Sequence, residues 1–412
     1  MSKRLLLIGG NFAPELTGVG KYNGEMIGWL ANNGYDCTVI TSFPHYPQWK
    51  IQPPYTKSRY WYKKETGYYG HVKVHRCPQY IPAQPSGGRR LLMDFSFAIS
   101  ASFQLLMELF RKKADFVMVV APPFHLGLLG VLYSRLKKAT FIYHVQDLQI
   151  EAARDLQMIS SPSLIKMLFG IERFILRRAD IISSISEGMI QKIREKSRHA
   201  ITSFPNWVDV RLFHPLEDKH QIKTAYGFAG SDTVILYAGA IGEKQGLEAI
   251  LQVAQQVRDQ THIKFLICGA GPYREKLHQQ VRTEGLNNIQ FRDPEPFDNF
   301  NRLLNMADVH LVIQKASAGD LVMPSKLTTI LAVGGVAVVT ANEHTSLHKV
   351  VTENEIGIVV PADDARALTT GILQAVSKSQ EHIPGNARRY ALEYLSIDKI
   401  MLRMEAAIRA ST

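Results

Sequence analysis

Apolar runs of strand length alternate with amphipathic stretches of helix length along nearly the whole chain, the pattern of a parallel sheet wrapped by helices. In the first half the runs are LLLIGG (5–10), CTVIT (37–41), FVMVV (116–120), TFIYHV (140–145) and DIISSI (180–185). A second series begins with TVILYAG (233–239) and continues through IKFLICG (263–269), ADVHLVI (307–313), GVAVVT (335–340) and GIVV (357–360). Two such series predict two Rossmann-like, doubly wound α/β domains, over 1–205 and 206–393, with a seam in FPNWVDVRLFHP (204–215). A C-terminal helix over 394–412 is expected to pack back onto the first domain. Ligands of such sheets bind beyond the carboxyl ends of the strands. If the domains face each other, those ends line one cleft, so the strand-to-helix loops are where function is sought.

Composition and charge sharpen this picture. At 412 residues, 46% hydrophobic and 21% charged, the chain suits two soluble cores. Its three cysteines, Cys37, Cys77 and Cys268, are sparse and odd in number, which implies a reduced compartment without a disulfide framework. MSKR leads straight into a strand without the features of a signal peptide, so the cytoplasm is expected. The net charge of +11 is uneven: residues 1–205 hold 27 Lys/Arg against 14 Asp/Glu, and the remainder 21 against 23. The first half therefore suits a polyanionic partner.

The loops carry candidate chemistry. In GGNFAPELTGVGKYNGEM, Gly18 and Gly20 fall where a helix begins, and free N–H groups there can meet phosphate or a sugar hydroxyl. The spacing is not that of a dinucleotide fingerprint, and the second strand ends in TSFP without an acidic ribose ligand. In YAGAIGEKQGLE, Lys244 and Gln245 sit near the next helix N-terminus, an arrangement suited to a diphosphate. Within CGAGP (268–272), Gly269 and Gly271 either let a ligand approach the backbone or make a tight turn with Pro272 at the first helical turn. In MPSKLTTILAVGG (323–335), Ser325 is placed to cap a helix. Lys326 lies in its first turn, where a cation is misplaced unless an anion is nearby. Three anion-suited helix starts in one domain argue for a nucleotide diphosphate.

Taken together, YAGAIGEKQGLE, GAGP, MPSKLTTILAVGG and FPNW resemble the retaining glycosyltransferases of the GT-B fold, family 4. PELTGVGKYNGEM, YPQW (46–49), RCPQYIPAQPS (76–86) and HVQDLQIE (144–151) resemble more narrowly the colanic-acid-type exopolysaccharide enzymes, over nearly the whole chain. The resemblance implies a nucleotide-sugar donor in the C-terminal domain and an acceptor in the N-terminal one. Some members are fucosyltransferases, which implies GDP-fucose and a polyprenyl-diphosphate-linked glycan acceptor in exopolysaccharide or O-antigen synthesis. It gives the diphosphate role to Lys244 and Lys326, with Gln245, Pro324 and Ser325 in the donor loops. The chain departs from the family where an Arg is usual (Ala240) and where a Lys is usual (Gln245). The family's paired glutamates fall on Leu321 and Thr329, and Asp320 is the neighbouring substitute for the first.

Breaking the donor's sugar–phosphate bond leaves growing negative charge on the diphosphate, which cations, helix N-termini or a metal must stabilise. No Asp-x-Asp pair occurs, and Asp363-Asp364 reads as a helix start, so neither metal nor other cofactor is expected. TFIYHV delivers His144 and then Asp147 to the ligand side. A strand-end histidine alone is usually structural. The HVQD resemblance instead implies that His144 bonds the donor sugar or departing oxygen, while Asp147 orients the acceptor hydroxyl or acts as base. Glu151 competes for that role, His125 reads as a loop residue, and Asn206 with Trp207 reads as hinge packing.

Segment 89–113 is apolar between basic flanks, but Asp94, Gln104 and Glu108 argue against a span, and one face of a helix there should pack on the sheet. The stretch LIKMLFGIERFILRRAD (164–180) sets apolar residues beside Lys166, Arg173, Arg177 and Arg178, as in helices that lie on anionic membranes. Peripheral binding to the inner face of the cell membrane is therefore expected. The aromatic stretch 46–69 reads as a flexible acceptor loop, and no nucleic-acid partner is expected. Rival readings are a UDP-sugar-dependent transferase or epimerase of the same fold, and a non-catalytic membrane-associated scaffold.

Overall fold

The computed structural model describes residues 2–15, 18–46, 48–83, 87–155, 159, 161–316, 324–377 and 380–410, with the side chains of Lys244 and Ala410 outside the description. The chain divides into two compact units, Met1–Pro205 with Met401–Thr412, and Asn206–Ile400. Each is an α/β domain built on a largely parallel sheet.

The strands of the first unit are β1 (Arg4–Ile8), β2 (Asp36–Ser42), β3 (Lys63–Tyr68), β4 (Val72–Cys77), β5 (Phe116–Ala121), β6 (Thr140–Val145), β7 (Ile181–Ser184) and β8 (Ile201–Ser203). Their order is β3-β4-β2-β1-β5-β6-β7-β8. The helices are α1 (Gly18–Asn32), α2 (Gly87–Leu109), α3 (Gly127–Lys137), α4 (Gln149–Asp155), α5 (Pro162–Leu176) and α6 (Glu187–Arg194). Central strands are mainly apolar because helices cover both faces of a parallel sheet; every residue of β5, FVMVVA, is buried. The stretch expected as a flexible loop contains β3, which pairs antiparallel with β4 and closes one edge. Its polar sequence, KKETGY, suits an edge strand and hides it from a search for apolar runs.

The second unit holds β9 (Thr233–Ala238), β10 (Ile263–Cys268), β11 (Ile289–Arg292), β12 (Val309–Val312), β13 (Val336–Thr340) and β14 (Gly357–Val360), all parallel in the order β11-β10-β9-β12-β13-β14. Its helices are α7 (Lys219–Ala225), α8 (Glu248–Gln256), α9 (Arg274–Thr283), α10 (Phe297–Met306), α11 (Ser325–Ala332), α12 (Ser346–Glu353), α13 (Ala365–Ala375) and α14 (Ile383–Tyr390). Side chains alternate along β9, with Val234 and Leu236 in one core layer and Ile235 and Tyr237 in the other. Arg388 of α14 donates to the carbonyls of Val210, Phe213 and Ala332, tying the linker down. Trp207 is buried, and Val208 bridges to Ser396. The final helix, α15 (Ile397–Ala410), carries the chain from the second unit into the first, where Glu405 accepts from Tyr35 Oη at 3.0 Å.

One local device recurs in both sheets. An Ala-Asp pair precedes β5, β7 and β12, and each aspartate accepts the first free N–H of the neighbouring strand. Asp115 takes Arg4 N at 2.8 Å, Asp180 takes Phe141 N at 2.7 Å and Asp308 takes Val234 N at 2.7 Å. The carboxylate satisfies a backbone donor at the strand start and so aligns the carboxyl ends of adjacent strands.

Candidate functional site

In the second unit, the loops after β9 and β10 hold each other. Gly239 N donates to Cys268 O at 3.0 Å, Ile241 N to Ala270 O at 2.9 Å and Tyr273 N to Ile241 O at 3.2 Å. A Cβ on Gly269 would lie 1.9 Å from Gly239 O, and one on Gly271 would lie 2.0 Å from Ile241 O. The space a side chain would take at these glycines is therefore filled by the neighbouring loop, so the close approach that requires glycine here is one of backbone to backbone. Pro272 precedes the cap residue Tyr273 and lies outside α9. After Ile241, residues Glu243–Gln245 form one 3-10 turn closed by Gly246, ahead of α8. Lys244 belongs to this turn, but its side chain is outside the description. Gln245 folds back over Gly242.

The first turn of α11 faces the same loop. Pro324, not Ser325, occupies the cap position; Ser325 is exposed at the first helical position, and among the described residues no side chain caps the helix. That corrects the capping role given to Ser325 and leaves N–H groups of the first turn with no side-chain cap among the described residues. Lys326 is half-buried, with Nζ 3.9 Å from the centre of the Tyr237 ring and 3.0 Å from where a Cβ on Gly239 would stand. Tyr237 Oη donates to Ala240 O at 2.7 Å, so one tyrosine braces the loop and supports the ammonium with its ring face. Among the described residues no carboxylate lies within 4.0 Å of Lys326 Nζ. Burial pushes its pKa down to about 7. A lysine destabilised by burial and by a helix N-terminus is relieved by an anion, and this geometry can bind one. Thr329, one turn on, bonds Lys326 O at 3.0 Å within the helix. Asp320 and Leu321 lie outside the described residues.

Beyond β12 and β13 a shallow depression is lined by Gln314, Lys315, Thr340, Asn342 and Thr345. Thr345 caps α12, and Asp363 accepts from Ala316 N at 3.0 Å. Lys315 packs its stem on Gly246, a second cation beside the loop that contains Lys244. The sequence reading passed over Lys315, although its place just past a strand end is the signal that finds loop residues. Asp364 caps α13, as its place after VVPA suggested.

In the first unit, the loop after β1 is organised by a residue that reading also missed. Glu15 is buried; its Oε1 accepts from His45 N and Tyr46 N, both at 2.9 Å, and its Oε2 from Asn11 Nδ2 at 2.9 Å. Gly20 is required at its position because a Cβ there would lie 2.4 Å from Glu15 Oε2. Gly18 opens α1 with φ +61° beside Tyr46. Beneath the loop, fully buried Arg76 donates to Ala13 O at 2.6 Å, Ser42 O at 3.1 Å and Glu65 Oε2 at 2.7 Å.

His144 lies inside the sheet, 1% exposed, with Nδ1 3.0 Å from Ser183 Oγ and its ring edge-on to Phe204. Burial pushes its pKa down to about 3. This neutral core histidine does not face solvent, which corrects the substrate contact expected of it. Asp147 follows β6 and is exposed, yet surrounding protein desolvates its carboxyl enough to raise the pKa, with Glu151 adding and the Leu148 N–H opposing. Glu151 is committed elsewhere: Lys196 Nζ lies 2.5 Å from its Oε1 and 2.7 Å from Glu172 Oε2. His125 stacks on Phe95 at 4.8 Å in the 3-10 turn Phe124–Leu126.

Comparison with known proteins follows this division. A profile described as "Glycosyl transferases group 1" matches residues 218–391, and one described as "Glycosyl transferase 4-like domain" matches 17–207. WcaI of Escherichia coli (strain K12), assigned by name to colanic acid biosynthesis as a glycosyl transferase, is 37% identical over 98% of this chain and 100% of its own. The sucrose-phosphate synthase of Thermosynechococcus elongatus superposes with a TM-score of 0.72 at 16% identity, over 99% of this chain and 98% of that one. HepE of Anabaena, solved with UDP and glucose, gives 0.71 at 12% identity, over 99% and 100%. The structural likenesses establish a shared fold.

Proposed function

Because the chain belongs to the group 1 glycosyltransferases, we propose that it moves a sugar from a nucleotide donor to a lipid-linked glycan, with retention at the anomeric carbon and without a metal. The favoured donor is GDP-fucose or a related GDP-deoxyhexose, and the favoured acceptor is a polyprenyl-diphosphate-linked glycan of exopolysaccharide synthesis at the cytoplasmic face of the cell membrane. The name carried by the E. coli relative supports the polysaccharide class. The observation that carries the reading is Lys326, a half-buried ammonium with no described carboxylate partner at the start of α11.

The donor diphosphate sits against Lys326 and the N–H groups of the first α11 turn. As the bond from the anomeric carbon to phosphate oxygen breaks, the charge that develops on the diphosphate meets a cation and helix dipole already in place. Asp147, exposed after β6, orients the acceptor hydroxyl; its proton passes to the departing phosphate oxygen on the same face, so no strong base is needed. His144 supports β6 from within.

Calorimetric titration with GDP, UDP and their sugar conjugates in the presence of chelator tests the reading. Selective GDP binding that weakens at least tenfold in Lys326→Met supports it. Equal binding by the variant removes the diphosphate role, and selective UDP binding overturns the donor. Inversion in the product, read by NMR of the new linkage, overturns retention.

A further inference from the structure

The outer surface of α2 reverses the usual arrangement of a helix on a soluble domain. From residue 91 to 110 every exposed residue is apolar: Leu91, Leu92, Phe95, Ile99, Phe103, Leu106, Met107 and Phe110. The acids of this stretch turn inward. Asp94 and Glu108 are both buried, the former within reach of Gln149 and the latter bonded to Arg111 at 2.8 Å. The inner face packs Met93, Phe97, Ala101 and Leu105 into the unit's core. An ordinary surface helix places such residues inside and charge outside, whereas this one is apolar on both sides.

Its neighbour continues the surface. On α3, which packs against α2, Leu128, Leu132 and Leu136 recur every fourth residue and are all exposed. Charge appears only around the patch, and its sign is uniform. Arg89 and Arg90 stand at one end of α2, Arg111, Lys112 and Lys113 follow the other, and Arg135 and Lys138 lie beside Leu136, all exposed. A contiguous apolar face of this kind, with cations at its ends and no exposed acid on either described helix, complements the interface of an anionic bilayer. Because its opposite face is core, α2 lies along the membrane and does not cross it.

We propose that the α2–α3 face is the element by which this chain seats itself in an anionic phospholipid leaflet, the exposed apolar side chains entering the acyl boundary and the basic rim meeting the headgroups. The proposal deepens the functional reading above, on which it rests for the membrane-borne acceptor. It also moves the contact away from α5, where only Leu164 and Met167 are large exposed apolar residues. Binding then has two separable parts: salt weakens the contribution of the rim and leaves that of the apolar face.

The test uses the full chain with vesicles of phosphatidylglycerol and phosphatidylethanolamine, read by cosedimentation. Replacing Ile99→Gln and Phe103→Gln together is expected to lower partitioning at least tenfold, with thermal unfolding and nucleotide binding unchanged. Lys166→Gln with Arg173→Gln on α5 should change it less than twofold. Vesicle binding by Ile99→Gln/Phe103→Gln equal to that of the parent overturns the proposal. So does a dimer in sedimentation analysis that those same two substitutions dissociate, since a second copy would then cover the face. Nucleotide titration of the same samples separates the two readings: loss of donor binding in the parent defeats the transferase assignment, while the vesicle result still decides the surface.

Discussion

In the N-terminal unit the loop after the first strand is held by a side chain, whereas in the C-terminal unit the matching loop is held by backbone. Glu15 gathers Asn11, His45 and Tyr46 through one carboxylate. The loops after β9 and β10 instead extend the ladder of their strands, with glycine at the contact points. A carboxylate hub tolerates adjustment because its partners can shift with it. A backbone contact admits no added atom. The difference suits the roles proposed for the two units, a donor side that presents a fixed cradle to a diphosphate and an acceptor side whose loops vary with the glycan.

The largest effect should come from violating the tighter arrangement. Gly271→Ala places a methyl 2.0 Å from Ile241 O, a collision with the backbone of the facing loop. A loss of about 3 kcal/mol or more in denaturant unfolding is expected, together with loss of nucleotide binding. Glu15→Ala should cost about 2 kcal/mol, leaving buried N–H groups unpaired, and should spare nucleotide binding. Equal losses of nucleotide binding in the two variants would erase the contrast.

The strand latches permit a second comparison. Asp308 not only accepts Val234 N but also meets Lys219 at 2.9 Å and Lys223 at 2.7 Å. Burial acts to raise its pKa, yet the two ammonium groups and the backbone N–H hold it below the ordinary aspartate value. The carboxylate's contribution is therefore complete above the unfolded pKa of about 3.9 and is lost as pH falls through the depressed folded value. Asp308→Asn removes the charge while Lys223 stays buried, so a loss of about 2 kcal/mol at neutral pH is expected in urea melts. If the variant's stability parallels that of the parent down to acid pH with no offset, the ion pairs contribute nothing.

Two sheets and most of their strands were legible because buried parallel strands are short, continuous apolar runs. β3 was not, because an edge strand carries the polar alternation of a loop. The phosphate-suited helix start at Lys326 could be read from a charge in the wrong place. Its tyrosine support could not, since Tyr237 and Lys326 meet only in the folded sheet. The histidine of TFIYHV misled for the opposite reason: in sequence it stands near a strand end, but in the structure β7 and Phe204 close over it. The glycines of CGAGP show a related limit, because sequence reveals that a side chain is forbidden without revealing that the neighbouring loop fills its space. The outer face of α2 was hidden for a related reason, as apolar periodicity does not say which apolar residues are inside.

Lys326 offers a smaller, two-signed test. Its pKa of about 7 in the folded chain lies below the unfolded value near 10.5, so between those values the unfolded state holds more protons and stability rises with pH. The penalty is greatest below pH 7. Lys326→Met should therefore raise the melting temperature at pH 6 and lose that advantage toward pH 10, while weakening nucleotide binding about tenfold, or about 1.4 kcal/mol. In the parent, affinity should fall as pH rises through about 7, because the anion binds the protonated form. The variant's affinity should be flat across that range. A variant both less stable at pH 6 and unchanged in affinity would return the lysine to a packing role.

The smallest effect belongs to the latches of the first sheet. Asp115 bonds Arg4 N, and Asp180 bonds Phe141 N; among the described residues neither carboxylate has a salt-bridge partner. Asparagine keeps an acceptor oxygen at the same place and removes only the charge, so Asp115→Asn and Asp180→Asn should each cost about 0.5–1 kcal/mol. Hydrogen exchange at Arg4 and Phe141 should quicken in step with that loss, while other amides of β1 and β6 keep their protection. The comparison with Asp308→Asn then isolates the contribution of its two lysines. If all three substitutions cost the same, the shared N–H bond, and not the ion pairs, is what aspartate supplies at these strand starts.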